Sequence, residues 1–89
     1  MDEKHIKKSV NHFNKTLPKG NYLKNYKFSF GLTYQVAEKM DQGKLFEFFK
    51  YIMNQCVTLY QFLPHELVLH EFDRNGEEGG VYTFYFWCR

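Results

Sequence analysis

His65, Glu66, His70 and Glu71 place two imidazoles and two carboxylates within one short stretch of the chain. A histidine beside a carboxylate is the minimum for general acid–base chemistry. Alternation along a strand puts Glu66 and His70 on one face and Glu71 on the other, leaving one such pair. A metal site needs three or four converging ligands, and the remaining histidines, His5 and His12, lie far away in sequence. Polar residues on the outer part of an edge strand account for this cluster better than catalysis does. Cys88 has no neighbouring base to make it a nucleophile. Gly76, Gly79 and Gly80 are flanked by Glu77 and Glu78, whose charges repel the phosphate that a glycine loop would cradle. These residues call for no enzyme, no metal and no cofactor.

A second constellation is basic. Residues 1–27 carry seven lysines against Asp2 and Glu3, whereas residues 28–89 carry five basic residues against eight acidic ones. Lys4, Lys7, Lys8, Lys15, Lys19, Lys24 and Lys27 suit phosphates, and Tyr22 could stack on an unpaired base. Arginine, the usual base-reading residue, occurs in this chain only at Arg74 and Arg89. A nucleic-acid surface here would therefore read sequence weakly. A solvated lysine-rich face that keeps a small domain soluble is the plainer account.

The third constellation is aromatic. Ten Phe, seven Tyr and one Trp make up 20% of the chain, and core filling is the plain account, since large rings give much buried area per residue in a chain short of core volume. Val81 to Cys88 is apolar on both of its alternating faces. If the helices cover one face, the other presents either Val81, Thr83, Tyr85 and Trp87 or Tyr82, Phe84 and Phe86 to water. An exposed aromatic row is a common interface anchor. Helices on both faces would bury both rows instead.

These side chains must be held by an α+β domain spanning 1–89. Ile6, Val10, Phe13 and Leu17 share one helical face, predicting a helix over 2–17 that Pro18 and Gly20 stop. Residues 26–36 alternate from Tyr26 to Val36 as a half-buried strand, with 35–42 equally able to turn helical. Asp41 is placed to cap a helix over 42–63, with Met40 and Leu45 stapled across the cap. The stripe Leu45, Phe49, Ile52, Cys56, Leu59 and Leu63 predicts deep burial of that helix. Strands follow over 66–72 and 81–88, joined through a turn-rich segment containing Asn75-Gly76.

The order α-β-α-β-β predicts a three-stranded mixed sheet. A strand apolar on both faces belongs at the centre, so the spatial order is 1-3-2, a split β-α-β with both helices mainly on one face. Cys56 and Cys88 are far apart in sequence and in no C-x-x-C spacing, which reads as two free thiols in the cytoplasm. No run of 18 apolar residues calls for a membrane.

The expected function is that of a small non-enzymatic protein-binding module. It would regulate or inhibit a larger machine through Tyr82, Tyr85 and Trp87 on the sheet and Asp73, Glu77 and Glu78 in the acidic hairpin. The Asn-, Lys-, Tyr- and Phe-rich composition fits a phage or mobile-element source. The alternative is nucleic-acid binding through the basic first third. Homodimerisation through the third strand or the sheet face is compatible with either.

Overall fold

The structure, a computed structural model, describes residues 3–73 and 79–89. Its elements run α1 (Glu3–Asn14), β1 (Tyr26–Thr33), α2 (Tyr34–Glu38), α3 (Gln42–Tyr60), β2 (Pro64–Asp73) and β3 (Val81–Cys88). The sheet order is β1-β3-β2. β3 is antiparallel to both neighbours, so the two outer strands run parallel to one another with β3 between them. This is the expected split β-α-β, but because the two parallel outer strands never touch, the sheet is antiparallel throughout rather than mixed. It also leaves β3 with no free edge, which removes the third strand as a route to homodimerisation.

Local chemistry moves several expected boundaries. α1 stops at Asn14 rather than Leu17, because the chain tightens: the N–H groups of Lys15, Thr16 and Leu17 donate to carbonyls three residues back. Leu17 is nonetheless buried with the rest of its stripe. β1 stops at Thr33 rather than Val36, because the Thr33 hydroxyl accepts from the Val36 N–H at 3.3 Å and caps α2. α2 buries Ala37 and leaves Val36 outside. Asp41 caps α3 as expected, accepting from the Lys44 N–H at 2.8 Å.

α3 ends at Tyr60, where Gln61 adopts φ 57°, ψ 25°. That left-handed turn sends the N–H groups of Gln61 and Phe62 back to the carbonyls of Val57 and Cys56. The deep burial expected along the whole α3 stripe fails in its last turns: Leu59 is 63% exposed and Leu63, just beyond the helix, 45%. The helix overshoots the core there. The Asn75-Gly76 turn lies outside the described residues.

Both long helices lie on one side of the sheet. Tyr82, Phe84, Phe86 and Cys88 of β3 are buried beneath them, with Leu32 of β1 and Leu67 of β2. α1 contributes Ile6, Val10 and Phe13, and α3 contributes Leu45, Phe49 and Cys56. Aromatic rings link the layers: Phe13 meets Phe49 at 5.7 Å, Phe49 meets Phe84 edge-on at 5.3 Å, and Phe84 stacks on Phe30 at 5.2 Å. α1 is further held by Asn14, whose amide donates to the Leu67 carbonyl and accepts from the Leu67 N–H. No helix among the described residues is long and apolar enough to cross a membrane.

Candidate protein-interaction surface

Residues directly opposite in adjacent strands share a face, so the register defines the uncovered side of the sheet. It carries Lys27, Ser29, Gly31 and Thr33 on β1, Val81, Thr83, Tyr85 and Trp87 on β3, and Glu66, Val68, Glu71 and Asp73 on β2. α1 borders it only along β2, where Lys7 and Asn11 share a groove with Glu66 and Val68. Of the two candidate rows on β3, the one containing Tyr85 and Trp87 therefore faces outward.

Tyr82 must be removed from the expected interface. It is 1% exposed, stacked on Phe72 at 4.3 Å on the helix-covered face. Its odd-numbered neighbours point the other way, and the two apolar faces of β3 are indistinguishable until the helices are placed. Asp73 is exposed at the Val81 end of the open face. Glu77 and Glu78 lie outside the described residues.

Trp87 and Tyr85 form an edge-to-face pair with centroids 5.6 Å apart and planes at 87°. The Lys27 ammonium lies 4.7 Å from the Tyr85 ring and 5.0 Å from that of Trp87, and Lys24 lies 5.6 Å from Trp87. A cation over a ring face is attracted by its quadrupole, and the lysine stems shield part of the aromatic surface. Lys24 also pairs with Glu66 at 2.8 Å. Just beyond the sheet end, Arg89 stacks on Tyr22 at 4.2 Å, and Tyr22 lies 5.3 Å from His65. The open face is thus electrically polar: cations and rings gather at the Trp87 end, while Glu71 and Asp73 occupy the other.

The His–carboxylate cluster is rearranged. The β2–β3 register shifts between Leu69 and Glu71, so Glu66 and Glu71 stand on the same face, contrary to simple alternation. His70 sits in that irregularity with its ring 5.8 Å from Tyr85. Among the described residues, no three His, Cys, Asp or Glu side chains converge as a metal site would require.

No protein-family model, curated protein or solved structure matches this chain.

The basic residues do not form one surface. Lys4, Lys7 and Lys8 lie exposed on α1 with Lys15 just after it, and Lys7 pairs with Glu3 at 3.4 Å. Lys24 and Lys27 stand on the open face, with Lys19 and Tyr22 near its Trp87 end, where they share a shallow depression with His65 and Glu66. Lys24 and Lys27 therefore act with the aromatic pair rather than with α1. The register hides this in the sequence: only the Lys27↔Trp87 pairing across strands brings them together.

The two cysteines, remote in sequence, meet in the core. Cys56 on α3 and Cys88 at the end of β3 are both free and buried, near enough for each to affect the other's thiol, and the Cys88 thiol donates to the Phe86 carbonyl at 3.8 Å. Burial, reinforced by Cys88, pushes the Cys56 thiol from 9.0 up to about 12. Burial also raises Cys88. Neither is poised as a nucleophile, since the reactive species is the thiolate.

Proposed function

We propose that this protein is a non-enzymatic binding module that docks a protein partner on the open face of its sheet, with Tyr85 and Trp87 as anchors. The observation that carries this reading is the placement of both long helices behind the sheet, which leaves an aromatic pair on the central strand with no element over it. Tyr and Trp on a mixed-charge surface are typical interface anchors. The polarity of the face selects a partner of opposite layout, carboxylates meeting Lys24 and Lys27 and cations meeting Glu71 and Asp73. A module of this size acts by occupying a surface of something larger, so regulation or inhibition of a host machine is the proposed role, compatible with a phage-borne protein. The cytoplasm is the proposed compartment, where the Cys56 and Cys88 thiols stay reduced.

The test is a pull-down from the source cell with and without nuclease, repeated with Tyr85→Ala plus Trp87→Ala. A stoichiometric protein that survives nuclease and is lost in the double variant supports the proposal. Unchanged capture by a folded double variant would overturn it.

One observation favours a second reading. Lysines poised over half-buried rings on an open face suit a single-stranded nucleic acid, bases stacking on Trp87 and Tyr85 while Lys24 and Lys27 move to phosphates. Glu66 already pairs with Lys24, and Glu71 and Asp73 share the face, so the protein partner is preferred. Affinity for an oligonucleotide that drops steeply with salt, and falls with Lys24→Ala plus Lys27→Ala, would reverse that order.

A further inference from the structure

The two edges of the sheet are treated differently. β2 carries the devices that keep an edge strand from pairing with another chain: it begins at Pro64, its register shifts twice, and Asn14 occupies both main-chain groups of Leu67. β1 has none of these. It pairs with β3 without a register shift, contains no proline, and carries Lys27 as its single charge. The bond from the Tyr34 N–H to the Gly80 carbonyl fixes the phase of the ladder. Even-numbered residues of β1 bond to β3, so the main-chain groups of Lys27, Ser29 and Gly31 point outward from the edge. Among the described residues, no main-chain bond from outside the strand reaches them.

We propose that β1 is a self-association edge, at which two copies of this chain pair antiparallel about a dyad at Ser29 to form one continuous six-stranded sheet. A two-fold axis normal to the sheet keeps each face continuous, so residues pair when their numbers sum to an even value. With the dyad at Ser29, every partner of Tyr26 to Leu32 is itself within β1. Phe28 meets Phe30 of the second copy, and Tyr26 meets Leu32. Lys27 meets Gly31, so the two ammoniums never face each other.

Gly31 supports that register. Its backbone needs no glycine conformation, and a Cβ there would make only ordinary contacts, 3.4 Å to Val81 and 3.7 Å to the Tyr82 carbonyl. The fold of one chain gives no reason for a bare backbone at this position, whereas a second copy's Lys27 stem crossing it does. Apolar surface flanks the edge as well. Tyr26, 52% exposed, stacks on Phe62 at 4.8 Å, and Tyr60, 54% exposed, lies 5.5 Å from Phe28. A strand pair needs such flanking surface to reach the area of a stable interface.

The experiment is sedimentation equilibrium across a concentration series on the full chain, with Ser29→Lys and Ser29→Pro. Ser29→Lys sets two like charges opposite each other at the dyad. Ser29→Pro deletes an N–H that points away from β3 and so spares the ladder of the monomer. The wild type should approach twice the monomer mass, and both variants should remain at monomer mass with unchanged far-ultraviolet dichroism. A wild type that stays monomeric throughout, or a dimer that survives Ser29→Lys with its fold intact, overturns the proposal. So does a dimer abolished only by Tyr85→Ala plus Trp87→Ala, which would place the contact on the open face.

Discussion

Asn14 and Leu67 pair as two strand residues would, although one is a side chain. Asn14 Nδ2 donates to the Leu67 carbonyl at 2.7 Å, and Asn14 Oδ1 accepts from the Leu67 N–H at 2.7 Å. The amide thus ties the end of α1 to the outer edge of β2. Replacing it by alanine removes two hydrogen bonds and leaves a part-buried donor and acceptor behind. Asn14→Ala should cost about 1–3 kcal/mol in urea unfolding. Asn14→Asp should also destabilise, because a carboxylate cannot donate to the Leu67 carbonyl.

The two ends of α3 predict changes of opposite sign. Asp41→Ala deletes the side-chain acceptor for the Lys44 N–H and should lower stability by about 1 kcal/mol. Gln61 holds a left-handed conformation that glycine adopts freely, so Gln61→Gly should raise stability by about 1 kcal/mol. Paired denaturant titrations of the two variants check both signs.

Consecutive residues of β3 should differ sharply. Phe84 is fully buried against Phe30 and Phe49, and Phe84→Ala should cost about 3–5 kcal/mol. Tyr85 lies on the open side, where truncation leaves no enclosed cavity. Tyr85→Ala should cost well under half as much by the same unfolding assay, and equal losses would mean that the open face is covered.

The buried thiols make stability depend on alkaline pH. A thiol whose folded pKa is raised stabilises the fold while it is protonated in both states. That contribution is complete below the unfolded value near 9.0 and is lost as pH rises toward the folded value of about 12 for Cys56. Unfolding midpoints should therefore be flat below about pH 8 and fall above about pH 9. Cys56→Ala should show a shallower fall than the wild type, with part of the slope retained by Cys88.

Much of this architecture is legible in the amino acids. β1 alternates, Asp41 stands where a cap must, and the doubly apolar β3 belongs at the centre of the sheet. What stays hidden depends on contacts between distant residues. Tyr82 and Tyr85 look equally able to face water until α1 and α3 are both placed over the even-numbered side. The register shift before Glu71 inverts its face, and nothing local to Leu69-His70-Glu71 announces it. Thr33 reads as one more strand residue until its hydroxyl is seen to cap α2. The meeting of Cys56 with Cys88, like that of Lys27 with Trp87, follows from strand pairing and helix packing rather than from spacing along the chain.

Trp87 is the single tryptophan of the chain, and it stands on the open face beside Lys24, Lys27 and Tyr85. Its fluorescence therefore reports from one known place. A ligand that settles on that face must displace lysine or water from the indole and shift the emission, so binding there can be followed without attaching a label.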